Sequence, residues 1–272
     1  MHEQTLPETR WARAGDIDIA YQAVGDGHPL LLIIGHGGVK ELWTREFIEP
    51  LSERFKVITF DNRGMGETPA GARRFSISQF ASDALGLLTA LGIESTHLLG
   101  YSMGGYIAQE MAIEEPGRVE RLVLLATECG GANGMRQEPG ILFEFHGADS
   151  SGRGGAETER RFFFSREQLE RSGTNPGNVL GDLEEKNSSE HLEAQAAAMR
   201  EWRGTCDRLS LLKQPSLVIT GTDDIVILPE NAAVLSELIP DSELVEMEGA
   251  HHGLIMQYPA ELAHTVGDFL SG

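Results

Sequence analysis

The chain has 272 residues, with 42 acidic and 22 basic side chains and a formal charge of −20. That length suits one large domain, or a core with an insertion, around a sizeable apolar centre. Such a charge repels nucleic acid and anionic membrane surfaces, so neither is expected as a partner.

Taken in order, residues 10–24 (RWARAGDIDIAYQAV) alternate around Gly15-Asp16 and predict a hairpin. LLLIIG (30–35) and KVITFD (56–61) are short continuous apolar runs ending at Gly or Asp, as strands covered on both faces do. Between them ELWTREFIEPLSERF has helical spacing, interrupted by Pro50. Ser76 is placed to cap a helix that runs through Ile77, Phe80, Leu87, Leu88 and Leu91 and stops at Gly92. The alternation continues with strand THLLG, helix SMGGYIAQEMAIEE and strand RVERLVLLAT. After residue 212 it resumes with strand SLVITG, helix PENAAVLSELI, strand ELVEME and helix PAELAHTVGDFL. Strands alternating with helices predict an α/β fold, a mostly parallel sheet of eight strands with helices on both faces. Residues 129–212 break the rhythm, which divides the chain into a core of 1–128 and 213–272 and an insertion that is either a lid or a disordered excursion; its phenylalanines, leucines and Trp202 favour an ordered helical lid.

The longest apolar runs fall far short of the roughly 20 residues that span a bilayer. The N-terminal MHEQTLPETRW lacks the positive end and apolar core of a secretory signal. Cys129 and Cys206 are the only cysteines, too few for a disulfide framework in a chain of this size. A reducing cytoplasm is therefore the expected setting, with Cys129 an inert thiol.

The chemistry concentrates at GYSMGG, residues 100–105. In G-x-S-x-G between a strand and a helix, the serine stands on a sharp turn with its hydroxyl above the carboxyl end of the sheet. Gly100 and Gly104 relieve the crowding there. A serine hydroxyl needs a base, and the base needs a group that fixes its tautomer. Both should lie in loops at the same sheet edge. GTDD (221–224) and GAHHG (249–253) each follow a strand, offering Asp223 or Asp224 and His251 or His252 in the order Ser, Asp, His.

With GHGG (35–38), DNRGMGET (61–68) and GAHHGLIMQYP (249–259), these stretches resemble the α/β-hydrolases, and most the lidded 3-oxoadipate enol-lactonase-like hydrolases and small esterases. The resemblance implies Ser102 as nucleophile, Asp224 as orienting acid and His252 as base, although His251 stands where the family commonly has glycine. It implies an oxyanion hole from the amides of Met103 and Gly38, with Gly37 competing for the second place. His36 is expected to brace its turn, and DNRGMG with Arg63 to brace loops.

The expected activity is hydrolysis of carboxylic esters or lactones, with a small-molecule acyl substrate and no cofactor. Carbon–carbon bond hydrolysis, thioester hydrolysis, perhydrolysis and slow-turnover ligand sensing use the same triad and stay open. His28, His97, His146, His191 and His264 are scattered along the sequence without zinc-site spacing, so no metal is expected. Phe143, Phe145, Phe162, Phe163, Phe164 and Trp202 either line a pocket or form the insertion's own core.

Overall fold

The computed structural model describes residues 7–131, 134, 162–165 and 187–272. The expected hairpin forms from β1 (Arg10–Ala14) and β2 (Ile17–Val24), which pair antiparallel across Gly15-Asp16. There follow β3 (His28–Ile33), α1 (Arg45–Ser52), β4 (Phe55–Phe60), α2 (Ile77–Ala90), β5 (Thr96–Tyr101), α3 (Met103–Glu114) and β6 (Val119–Leu125). Within the insertion, α4 spans Ser189–Glu201. The core then closes with β7 (Ser216–Gly221), α5 (Glu230–Leu238), β8 (Ser242–Met247), α6 (Leu254–Gln257) and α7 (Pro259–Ser271).

The eight strands form one sheet in the order β1-β2-β4-β3-β5-β6-β7-β8, parallel from β4 through to β8. Successive side chains on a strand point to opposite faces, so a strand buried on both sides must be apolar throughout. Strand β3 shows this directly. Leu31 and Ile33 join Phe80, Leu87, Tyr106, Met111 and Leu235 under α2, α3 and α5. Leu30 and Leu32 join Phe47, Leu51, Leu262 and Val266 under α1 and α7. Two apolar layers thus fix the central strands, and the ends of those strands fix the loops.

Local signals set the helix limits. Ser76 Oγ accepts from the Gln79 amide at 3.1 Å, and Gly92, at φ +68°, closes the far end of α2 as Ile93 N donates to Leu88 O at 2.9 Å. Helix α1 is shorter than its apolar spacing suggests. Residues 40–42 make a separate 3-10 turn because Lys40 is tied elsewhere: its amide and Nζ donate to Asp61 at 2.7 and 2.9 Å. Burial alone would lower the ammonium pKa, but the carboxylates of Glu67, Asp61 and Glu41 outweigh it and raise it.

Arg63 braces loops, as expected. Buried completely, it grips Asp83 through Nε and Nη2 at 2.7 and 2.6 Å, and reaches Asp16 in the first hairpin turn and the Ala70 carbonyl.

The reading of the cysteines is corrected. Cys129 and Cys206 form a disulfide with Cα atoms 5.0 Å apart across 77 residues of sequence. Cys129 lies just past β6 and Cys206 just past α4, so the fold brings the two stems of the insertion together, a proximity that spacing along the chain does not reveal. A disulfide is the product of an oxidising setting, so the two cysteines do not point to a reducing compartment. Among the described residues no helix is long and apolar enough to cross a membrane.

Candidate active site

Strand β5 delivers Ser102 to the carboxyl edge of the sheet, and α3 begins at the next residue. Ser102 holds φ +54° and ψ −122°, a conformation costly for a residue with a Cβ and typical of a strained functional turn. The surroundings enforce it. Ser102 N donates to Leu125 O at 3.0 Å, and its carbonyl accepts from Gly105 N and Thr127 Oγ1, both at 2.8 Å. A Cβ at Gly104 would lie 2.0 Å from Ile33 O, and one at Gly100 would lie 2.3 Å from Gly104 O. Strand and helix approach this closely only because both flanking residues are glycine.

The loop after β7 brings in Asp224. Its Oδ1 accepts from the amides of Val226 and Ile227 at 2.8 and 2.9 Å, which leaves Oδ2 facing His252 Nδ1 at 2.8 Å. The loop after β8 brings in His252, whose Nε2 stands 3.1 Å from Ser102 Oγ. With Nδ1 donating to the carboxylate, Nε2 is the acceptor for the serine proton. Ser102, His252 and Asp224 are all buried. The neighbouring residues do not compete. Asp223 is exposed, and the His251 ring turns back to donate through Nδ1 to Gly249 O at 3.4 Å.

Tyr101, Phe162 and Phe163 hold the histidine in place. The Tyr101 hydroxyl donates to the His252 carbonyl at 2.8 Å, and the two rings lie 5.3 Å apart. Burial, together with the negative charge of Asp224, raises the Tyr101 pKa well above that of an ordinary phenol, so it remains a donor. The His252 amide in turn donates to Phe162 O at 3.2 Å, and the Phe163 ring stands 6.0 Å from the imidazole. Phe162 itself packs with Val226 and Ile227 beside the Asp224 loop.

On the other side of the serine, Met103 occupies the first position of α3, where a backbone N–H has no acceptor within the helix. The His36-Gly37 turn after β3 is more heavily engaged than its sequence suggests. Gly38 N donates to Gly35 O at 3.2 Å, and Gly37 N donates to Gln195 Oε1 at 2.9 Å. Gln195 is fully buried on α4, and its Nε2 has no hydrogen-bond partner among the described residues. Asn187 Nδ2 donates to Gly37 O at 2.8 Å while its Oδ1 accepts from Gly66 N at 2.9 Å. His36 braces the turn, donating through Nε2 to Leu192 O at 3.0 Å, and burial lowers its pKa.

The described part of the insertion therefore reaches both flanks of Ser102. No local signature announces Gln195, Asn187 or Phe163; each acts across more than 80 residues of sequence. Trp202 turns the other way, stacking on Tyr106 at 4.3 Å and donating through Nε1 to Glu110 at 2.8 Å, so it packs on the core. Phe143, Phe145 and His146 lie outside the described residues. His28 and His97, scattered in sequence, come together with Glu120 at the opposite edge of the sheet.

Residues 28–259 match the family described as alpha/beta hydrolase fold, and the chain belongs to it. It is 28% identical over 265 residues to a protein of Azorhizobium caulinodans provisionally named carbamate hydrolase RutD, covering 89% of this chain and 91% of the other. Among solved structures it is similar to an N-acyl homoserine lactone-degrading enzyme at 25% identity and TM-score 0.80, over 96% of this chain and all of that one. The enol-lactonase from Burkholderia xenovorans shares its fold at TM-score 0.84 and 24% identity, over 97% of this chain and all of the other. The family and these likenesses support a hydrolase.

Proposed function

We propose that the chain is a serine hydrolase of carboxylic esters or lactones, working through an acyl-enzyme on Ser102. The observation that carries this reading is the relay from Asp224 Oδ2 to His252 Nδ1 at 2.8 Å and from His252 Nε2 to Ser102 Oγ at 3.1 Å. Ser102 Oγ attacks the acyl carbon while His252 takes its proton, and Asp224 balances the imidazolium. The tetrahedral oxyanion is held by the Met103 amide and by Gly38, which exchanges its long turn bond to Gly35 for the developing charge. His252 then protonates the leaving alkoxide, and a water deprotonated by the same imidazole attacks the acyl-enzyme to release the acid. In a lactone the alkoxide stays joined to the acyl group, so one ring-opened product leaves.

The segment 129–212 serves as a lid. Phe163 and Gln195 bring it to the histidine and to the oxyanion turn, where it selects the acyl group. The names of the relatives support acyl transfer, since carbamate, enol lactone and homoserine lactone all present an electrophilic carbonyl.

The test is steady-state hydrolysis of a short-chain aryl ester and of an acyl lactone, followed through many turnovers per site. Ser102→Ala should lower the rate by at least about 10⁴-fold with an unchanged thermal midpoint. A folded Ser102→Ala protein that keeps the wild-type rate refutes the mechanism, and a single burst from the wild type points to a sensor.

A further inference from the structure

We propose that His28, His97 and Glu120 form a binding site for a zinc-type divalent transition metal, at the sheet edge away from Ser102. These residues open three adjacent parallel strands: His28 begins β3, His97 is second in β5 and Glu120 second in β6. Parallel pairing puts the amino ends of neighbouring strands side by side, which is how residues 28, 97 and 120 meet. Five residue steps along β5 lead from His97 to Ser102, about 16 Å at the rise of a strand.

Each of the three offers one ligand atom, and all three atoms lie within 4.8 Å of one another. His28 Nε2 and Glu120 Oε2 are 3.3 Å apart. Bonds of about 2.0 Å to a tetrahedral ion set neighbouring donors roughly 3.3 Å apart, so this edge of the site already has the right length. Two imidazoles and one carboxylate are a donor set suited to zinc, cobalt or nickel, with a remaining position for water.

The surroundings fit a ligand site. Ser95 Oγ donates to Glu120 Oε1, which orients the carboxylate and leaves Oε2 toward His28. His97 is buried, with the Phe55 ring edge-on at 5.8 Å, and its Nδ1 has no hydrogen-bond partner among the described residues. The His28 and Glu120 side chains remain 38% and 45% exposed, which gives an ion a way in. Arg121 is the opposing cation near His97, and a bound ion must overcome its repulsion. Without a metal, Glu120 stays in contact with His28, whose ring lies tilted 4.5 Å from that of His97. The two states differ in what they bind, and that can be measured.

The full chain, stripped with EDTA and dialysed, would be titrated with Zn²⁺ by calorimetry and with Co²⁺ by visible absorption. Wild type would be compared with His28→Gln and Glu120→Gln, both partly exposed positions, and with His252→Ala to remove the triad imidazole. The expected result is one ion per chain in wild type and His252→Ala, with the intense Co²⁺ bands of a tetrahedral site. Each of His28→Gln and Glu120→Gln should weaken binding by at least about tenfold. Zinc at a hundredfold excess over Kd should raise the wild-type midpoint by about 5 °C, and the two variants should lose that rise. Equal binding in wild type, His28→Gln and Glu120→Gln, loss of binding in His252→Ala, or no binding by wild type would each overturn the proposal.

Discussion

Asp223 and Asp224 are neighbours in sequence and opposites in environment. Asp224 is enclosed, with one oxygen fixed by two amides and the other by His252; Asp223 faces solvent. Replacing Asp224 with Asn keeps the shape but presents an amide to Nδ1 and disfavours the productive tautomer. The expected cost in kcat is about 10⁴-fold, while Asp223→Asn should stay within about twofold, as surface changes generally do. Steady-state kinetics of the two variants separates the candidates, and equal losses would contradict the assignment. The juxtaposition of Ser102, His252 and Asp224 is legible in the sequence because each lies in a short motif at a turn that follows a strand. Tyr101, Phe163 and Gln195 are not, because their contacts with the site depend on how distant segments meet, and no local pattern encodes that.

At the scale of elements, loops hold the site in place as much as strands do. The segment 61–68 is secured by Arg63, whose guanidinium joins the first hairpin turn to α2 through Asp16 and Asp83. Arg63→Ala would leave Asp83 buried without its cation, a loss of about 3–5 kcal/mol. Urea denaturation should show a lower midpoint with an unchanged slope, and an unaltered midpoint would mean the pair contributes nothing. Strands and caps were readable here: continuous apolar runs became doubly covered strands, and Ser76 and Gly92 bounded α2 as they should. The shortened α1 was not readable, because its apolar spacing is genuinely helical. What overrides it is Lys40, drawn to Asp61 by a contact that only the folded sheet creates.

Among the described residues the alternation of strands and helices breaks between β6 and β7, and a disulfide fastens that stretch near both of its ends. Closing a loop between cysteines 77 positions apart in sequence is worth about 4 kcal/mol by loss of unfolded-state entropy. For a chain of this size that corresponds to a midpoint about 10 °C higher. Thermal melts with and without reductant, and of Cys129→Ser with Cys206→Ser, should show the difference; coincident melts would mean the bond does not form in solution. Two cysteines in a chain this long gave no sign of pairing, since their proximity is a product of the fold.

That bond also changes what a cut chain is. Peptide-bond cleavage at any single place between residues 129 and 206 would yield two fragments still joined covalently, one carrying Ser102 and the other Asp224 and His252. They would migrate together on a gel until a reductant parted them. The sheet that seats Ser102, Asp224 and His252 would keep both halves on one connected molecule.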